Sequence, residues 1–239
     1  MTKTVLIIGA SSGIGEALAY RFHNESYRIG LAARRIDKLN AIKDNLDSLV
    51  AVEEMDITNS EASLSAFNSM VEKLGKIDLV IISSGTGFVN EDLDYTKEIE
   101  TIQTNCSGFV VMATQAFKHF QEKGAGHLVG ISSVLMHRGS AYAPAYSASK
   151  AFVSNYMEGL RMKALKSRLN IHVTDIRPGY VDTAMAEGDN MFWVSSTEKA
   201  ADQIFNAIKK KKKRAYITKR WALIAAILTI VPDYLYKRF

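Results

Sequence analysis

An apolar run that leads directly into a glycine-rich loop sets the strongest limit on how this chain folds. Residues 5–8 are all apolar and are followed by Gly9, a pattern typical of a strand buried on both faces of a sheet. Apolar side chains then recur at helical spacing over residues 14–22, and residues 27–33 return to strand character. The three segments predict a βαβ unit.

The same alternation of strands and helices continues along the chain. Further strands are predicted at residues 49–56, 79–83, 127–132, 171–177 and 215–218, with helices at 38–45, 60–74, 99–121 and 145–167. This order predicts an α/β fold, a Rossmann-like doubly wound parallel sheet between two layers of helices. The length of 239 residues, 47% of them hydrophobic, suits one core. We therefore expect a single domain over residues 1–218 and an apolar tail at 219–239.

The loop after the first strand has the context of a phosphate-binding turn. It contains Gly9, Ser11, Ser12, Gly13, Ile14 and Gly15, between a strand and a helix. Backbone N–H groups and the positive end of the helix dipole would then face an anion. The alternative is a tight turn without a ligand, and the glycine spacing alone does not separate the two.

Tyr146 and Lys150 are four residues apart in a predicted helix, so they share one helix face. A free tyrosine titrates near pH ~10, which is too high for efficient proton transfer at neutral pH. A nearby ammonium favours the phenolate, and we therefore expect Lys150 to lower the pKa of Tyr146. The pair predicts acid–base chemistry.

The net charge of +5 comes from the end of the chain. Residues 1–208 carry 20 basic and 24 acidic side chains, whereas ten bases and one acid follow from Lys209 onward. A basic run without interleaved aromatic residues does not predict a nucleic-acid partner. The single cysteine, Cys106, excludes an internal disulfide framework, and no metal-binding Cys/His set is present. Together with a strand-like amino terminus, this favours a cytoplasmic location.

Five motifs in order resemble those of the classical short-chain dehydrogenase/reductase family, over roughly three quarters of the chain. The matched residues are Gly9, Gly13 and Gly15 in the loop, then Asn105, Ser133, Tyr146 with Lys150, and finally Pro178, Gly179, Val181 and Thr183. The family's N-N-A-G motif on the fourth strand is replaced by Ile82-Ser83-Ser84-Gly85. Ser84 and Gly85 are still expected to let the backbone approach a cofactor closely.

By this resemblance, the protein is expected to transfer a hydride between a nicotinamide cofactor and a small-molecule carbonyl/alcohol substrate. Tyr146 would be the general acid/base and Ser133 would orient the substrate oxygen. Lys150 would also hold the nicotinamide ribose, and Asn105 would sustain a proton relay through water. The alternative is a non-catalytic NADP-binding sensor or scaffold, which would have no need for all four side chains.

Two arginines after the second strand favour NADP over NAD. An NAD site usually offers an acid to the ribose hydroxyls at this point, whereas Arg34 and Arg35 can hold a 2′-phosphate. The preference is expected to rest mainly on Arg34, the alternative being two solvated arginines. Asp56, followed by Ile57, is expected either to accept from the adenine amino group or to cap the next turn.

The segment at residues 184–195 is expected to close over the substrate. Its apolar side chains, Met185, Met191, Phe192 and Trp193, would either line a pocket for a hydrophobic substrate or pack the lid onto the body. His137 and Arg138 are expected to be exposed polar residues, the alternative being substrate contact.

The tail contains an apolar run, residues 222–231, that lacks a polar face except at Thr229 and is too short to span a bilayer. Two interpretations remain open. In one, the basic run at 209–214 and Trp221 contact an anionic membrane surface, giving peripheral membrane association. In the other, the tail packs against another subunit or its own substrate cleft. The resemblance implies a homodimer or homotetramer.

Overall fold

The central sheet has seven parallel strands in the order β3-β2-β1-β4-β5-β6-β7. The computed structural model describes residues 2–46, 50–185 and 192–237. Its strands are β1 Thr4–Ile8, β2 Arg28–Ala33, β3 Val50–Glu54, β4 Leu79–Ile82, β5 Ala125–Ile131, β6 Asn170–Pro178 and β7 Arg214–Ile217. The predicted α/β fold is confirmed. Leu49, the predicted start of the third strand, lies outside the described residues.

Helices cover both faces of this sheet. They are α1 Gly13–His23, α2 Ile36–Asp44, α3 Ser60–Leu74, α4 Tyr95–Ile102, α5 Phe109–Lys123, α6 Pro144–Ser167, α7 Thr197–Lys209, α8 Trp221–Ile230 and α9 Asp233–Tyr236. Neighbouring residues of a strand face opposite sides. Val5 and Ile7 of β1 therefore pack into the core of α1, α2 and α7, while Leu6 and Ile8 pack into the core of α3, α5 and α6. Strand order reverses between β1 and β4, which opens a crevice at their carboxyl ends.

The predicted helix at residues 99–121 is longer in the structure and is interrupted. It begins as α4, capped by the Asp94 carboxylate, which accepts from Thr96 N at 2.9 Å. It then passes through a π-helical turn at Gln103–Gly108 before continuing as α5. Gly108 permits this path because a Cβ there would lie 2.6 Å from the carbonyl oxygen of Ile57. Such turns insert an extra residue and often occur at functional sites.

The apolar tail folds back onto its own domain. Helix α8 buries Trp221 and Ala225, while Leu223, Ile227 and Ile230 stay exposed. The basic run at 209–214 precedes the rest of β7 and α8 follows it, so the two lie at opposite ends of that strand. The membrane interpretation requires the run and Trp221 to share one outward surface. They do not, because they lie at opposite ends of β7 and the indole of Trp221 is buried. Within the described ranges, no helix is both long and apolar enough to cross a bilayer.

Candidate active site

The glycine-rich loop is held against the end of β4. Gly9 adopts a φ of +88°, and a Cβ there would lie 2.4 Å from the backbone nitrogen of Ser84. A Cβ on Gly15 would lie 2.1 Å from the carbonyl oxygen of Gly9. Both positions therefore require glycine, and the loop backbone packs directly against that of Ser84. The loop opens directly into α1, which is the arrangement that suits an anion.

Arg35 is the arginine that reaches this loop. Its Nε and Nη2 donate to Ser11 Oγ at 3.2 and 2.9 Å, and Nη2 also donates to Ser12 Oγ at 2.7 Å. Arg34, on which the cofactor preference was expected to rest, is exposed at the end of β2. Asp56 caps its turn, because its Oδ1 accepts from the backbone N and the hydroxyl of Thr58 at 3.0 and 2.8 Å.

Ser133 and Tyr146 are brought together by β5 and α6. Ser133 follows β5, and its hydroxyl accepts from Leu135 N at 3.1 Å, which begins a short 3-10 turn. The Ser133 side chain also lies near the Tyr146 phenol. Burial raises the pKa of Tyr146, the hydrogen-bonding side chain of Ser133 acts in the opposite direction, and nearby Tyr180 adds to the increase. The net direction is opposite to the one predicted from sequence, because burial has the largest effect on the phenol.

Lys150 shares the helix face of Tyr146, as predicted. Its Nζ lies 5.5 Å from the centroid of the Tyr146 ring and donates to the carbonyl oxygen of Ile131 at 3.1 Å. Burial lowers the pKa of Lys150 to about 8, while Cys106 and Asp175 act to raise it. A lysine in this state can give up and regain a proton close to neutral pH.

Asn105 lies in the π-helical turn and is fully engaged. Its Nδ2 donates to Thr86 O at 2.7 Å and to Ser149 Oγ at 2.9 Å, and its Oδ1 accepts from Thr86 N at 2.8 Å. A Cβ on Gly85 would lie 3.2 Å from Lys150 Nζ and 3.3 Å from Asn105 Oδ1. Asn105 and Lys150 therefore border the same small space at Gly85.

Sequence reasoning did not identify Gly87, although it lies against the tyrosine. A Cβ at this position would be 2.4 Å from Cδ2 of Tyr146. The absence of a side chain therefore lets the Tyr146 ring pack directly against the segment after β4. The sequence did contain one signal for this close contact, which is a second glycine two residues after Gly85.

The segment after β6 closes the crevice from the other side. Pro178 is the last residue of β6, and Val181 is buried and forms a parallel bridge with Ser195. The side chain of Thr183 reaches the glycine loop, where a Cβ on Gly13 would lie 3.0 Å from its Cγ2. These contacts link the predicted lid to the predicted phosphate-binding turn.

Aromatic side chains of Tyr180, the lid and the tail form one cluster beside the candidate active site. The Trp221 ring centroid lies 5.4 Å from that of Tyr180, 5.1 Å from that of Phe192 and 6.1 Å from that of Trp193. Met185 is exposed, and Met191 lies outside the described residues. The lid therefore packs against the tail as well as against the body.

His137 and Arg138 were expected to be exposed polar residues, but they attach the tail to the body. His137 Nε2 lies 3.0 Å from Tyr216 Oη, and its Nδ1 lies 3.4 Å from Thr229 Oγ1. Arg138 donates to the carbonyl oxygen of Val231 at 2.8 Å and pairs with Asp233 at 2.5 Å. The expectation was wrong because the sequence did not show that α8 and α9 return to this loop.

The sheet, the glycine loop and the Ser133, Tyr146 and Lys150 side chains define an oxidoreductase of the Rossmann type. The sequence model for short chain dehydrogenases matches residues 3–193, and the chain belongs to that family. It is 33% identical over 249 residues to an uncharacterized oxidoreductase of Mycobacterium tuberculosis (strain CDC 1551 / Oshkosh), covering 99% of this chain and 97% of that protein. In the described parts of the chain, no group of His, Cys, Asp or Glu could hold a metal ion.

Two solved structures show the same fold. A short chain dehydrogenase/reductase from Burkholderia phymatum, in complex with NAD, superposes with a TM-score of 0.85 at 17% identity, covering 95% of this chain and 92% of the other. ElxO with NADP bound gives a TM-score of 0.78 at 21% identity, covering 91% of this chain and 97% of the other. Proteins of this fold therefore bind either nicotinamide cofactor.

Proposed function

We propose that this protein is an NADP(H)-dependent oxidoreductase for a carbonyl/alcohol pair, with Tyr146 as the general acid/base. The observation that carries the proposal is the placement of Ser133 and Lys150 beside Tyr146, with Lys150 Nζ 5.5 Å from the centroid of the tyrosine ring. A sensor or scaffold has no need for this arrangement. The bound cofactor would supply a hydride to the carbonyl carbon.

The protein side chains supply the proton that the substrate oxygen takes up when the carbonyl is reduced. In the reductive direction, Tyr146 gives its phenolic proton to the substrate oxygen, so that the oxygen leaves as a hydroxyl. Ser133 Oγ already accepts from Leu135 N, so its O–H is the group that would donate to the same oxygen. Lys150, with a pKa lowered to about 8 by burial, returns a proton to the phenolate through the space that it shares with Asn105. The oxidative direction reverses these transfers.

The residues around the loop fit a phosphorylated dinucleotide. Ser11, Ser12 and the backbone N–H groups at the start of α1 would meet phosphate, and Arg35 would add a charged fork of donors for a 2′-phosphate. Arg34, which is exposed, would supply a second guanidinium from the solvent side of the site. We expect Ile57, Ser84, Gly85, Gly179 and Thr183 to line the remainder of this site, with Asp56 at the adenine end. NADP is favoured over NAD because Arg34 and Arg35, and not an acid, directly follow β2.

The aromatic cluster supports an apolar substrate. Tyr180, Phe192 and Trp221 present ring surfaces, and Tyr180 is close enough to affect the pKa of Tyr146. A carbonyl with a hydrophobic substituent would bury that substituent against these rings. Amphiphilic substrates with a charged end near the carbonyl would bind less well.

The exposed apolar face of α8 is the surface through which we expect two copies of the chain to associate. Leu223, Ile227 and Ile230 are 63%, 46% and 79% exposed, and we expect a second copy of the chain to cover them in a homo-oligomer. Sedimentation of wild type and Leu223→Lys would test this, since the variant should sediment as a smaller species. Flotation with anionic vesicles separates the lipid alternative, in which wild type would float and Leu223→Lys would not.

The central test uses Tyr146→Phe and a panel of aldehydes and ketones with NADPH or NADH. Loss of a general acid should lower kcat by roughly 100-fold or more, while NADPH fluorescence should still report binding. Tyr142→Phe is the matched control, because Tyr142 is 55% exposed and lies in the segment just before α6. Unchanged turnover in Tyr146→Phe would refute the assigned role. A wild-type protein that binds NADPH but reduces none of the panel would favour the sensor alternative.

A further inference from the structure

A fully buried carboxylate lies behind the candidate active site and was not identified in the sequence. Asp175 is 0% exposed and belongs to β6, where it pairs with Gly130 of β5. Its Oδ1 accepts from Ser132 Oγ at 2.5 Å, and its Oδ2 accepts from Ser154 Oγ and Arg177 Nε, each at 2.7 Å. Burying a carboxylate is costly even when it is paired, so its presence here invites a specific explanation.

The partners of Asp175 connect it to both halves of the catalytic set. Ser132 immediately precedes Ser133 at the end of β5. Ser154 lies one helical turn after Lys150, on the face of α6 that also carries Tyr146. One carboxylate therefore joins the strand end that bears the serine to the helix that bears the tyrosine and the lysine.

We propose that Asp175 is a positioning residue that fixes the separation of Ser133 from Tyr146 and Lys150. This inference rests on the proposed function. Efficient proton transfer requires the reacting groups to keep their geometry within a fraction of an ångström. Asp175 achieves this through the hydroxyls of Ser132 and Ser154, which donate to its carboxylate.

The charge of Asp175 also acts on Lys150. Two titratable groups favour the protonated lysine, Cys106 from the π-helical turn and Asp175 from β6, and they oppose the effect of burial. Tyr146 is the third titratable neighbour, on α6 itself. Replacing Asp175 by a neutral residue should therefore lower the titration midpoint of Lys150 further. This readout does not depend on turnover.

The polar contacts of Asp175 continue as far as the tail. Arg177 donates to Ser154 Oγ at 2.9 Å and to Tyr216 Oη at 3.0 Å. Tyr216 in turn contacts His137, which lies beside Thr229 of α8. The anchoring of the tail and the placement of the catalytic helix therefore share one buried network.

The test compares Asp175→Asn and Ser154→Ala with Thr174→Val. Thr174 is the matched control, because it is adjacent on β6 and 0% exposed, and its hydroxyl is hydrogen-bonded to Lys212 O and His127. We expect Asp175→Asn to lower kcat at least tenfold relative to Thr174→Val, with the KM for NADPH within about twofold. Ser154→Ala keeps the charge and should lower kcat severalfold.

Titration of 13C-labelled lysine by NMR, with Lys150 assigned from Lys150→Arg, supplies the second measurement. The Lys150 midpoint should move to lower pH in Asp175→Asn and stay unchanged in Ser154→Ala and Thr174→Val. Wild-type kcat in both Asp175→Asn and Ser154→Ala would overturn the inference, and if Asp175→Asn does not fold, Ser154→Ala decides alone. Absence of turnover in wild type would instead refute the proposed function.

Discussion

The indole of Trp221 lies directly on the backbone of Gly179, where a Cβ would be only 2.1 Å from Cε2. Gly179 follows β6 at the candidate active site, and Trp221 is the first residue of α8. The tail therefore forms part of the wall of the crevice beside the candidate active site. The Trp221 ring extends the aromatic wall that Tyr180 and Phe192 form.

Truncating Trp221 should change which substrates are accepted. Trp221→Ala removes a side chain that is 3% exposed and leaves space beside Gly179, so kcat/KM for bulky carbonyls should rise relative to small ones, at a cost of roughly 3 kcal/mol in stability. Leu223→Ala, on the exposed face of the same helix, should leave the ratio unchanged. An unchanged ratio in Trp221→Ala would show that the indole does not border the substrate.

Adding one methyl group at Gly87 should displace the catalytic tyrosine. The new Cβ would lie 2.4 Å from Tyr146 Cδ2, so the ring must shift and kcat should fall at least about tenfold. Gly159→Ala is the control, since no atom lies within 4 Å of its Cβ position. It should retain kcat and gain up to about 1 kcal/mol in helix stability. Equal kcat in the two variants would contradict the contact.

Arg34 and Arg35 can be separated by their effects on cofactor choice. Arg35 is bonded to Ser11 and Ser12, so Arg35→Ala should raise the KM for NADPH by roughly 10- to 100-fold and change the KM for NADH little. Arg34→Ala should have the smaller effect. Steady-state kinetics with both cofactors measures this, and the reverse order would restore Arg34 as the main determinant.

His127 should make the protein less stable in mild acid. Burial, with His172 and Lys211 nearby, lowers the pKa of His127 to about 3, whereas an unfolded histidine titrates near ~6.5. Below that pH the unfolded chain binds the extra proton first, so the free energy of unfolding falls by about 1.4 kcal/mol per pH unit. Protonation of His127 therefore leaves the free energy of unfolding unchanged above pH ~6.5 and lowers it progressively from pH ~6.5 to pH ~3.

Urea unfolding at pH 7 and pH 5 tests this with His127→Gln. Between these two values the wild type should lose roughly 2 kcal/mol more than the variant does. Comparing the two losses cancels whatever stability the substitution itself removes at pH 7. Equal losses in both proteins would mean that His127 is not held in its neutral form.

The strands and the motif residues were predictable because their signals are local. Buried parallel strands have continuous apolar sequences, as at residues 5–8 and 79–82, and helical periodicity alone places Tyr146 and Lys150 on one face. The glycine loop was recognisable because it joins a strand to a helix. These features need no knowledge of distant contacts.

The remainder depends on tertiary contacts that the sequence does not display. Either Arg34 or Arg35 could have reached the loop from the end of β2. The raised pKa of Tyr146 comes from burial, and the environment of Asp175 is assembled from three separate elements. Burial and long-range pairing decide all three outcomes.

The π-helical turn at Gln103–Gly108 also limits how this enzyme can change its length. The wider turn accommodates one extra residue locally, so deleting one residue there would leave an ordinary helix with the faces of α4 and α5 nearly unchanged. Phe109, Met112 and Ala116 would stay in the core, whereas Asn105 would lose the local geometry that directs its side chain to Thr86 and Ser149. A one-residue deletion in this segment should therefore damage the site rather than the fold.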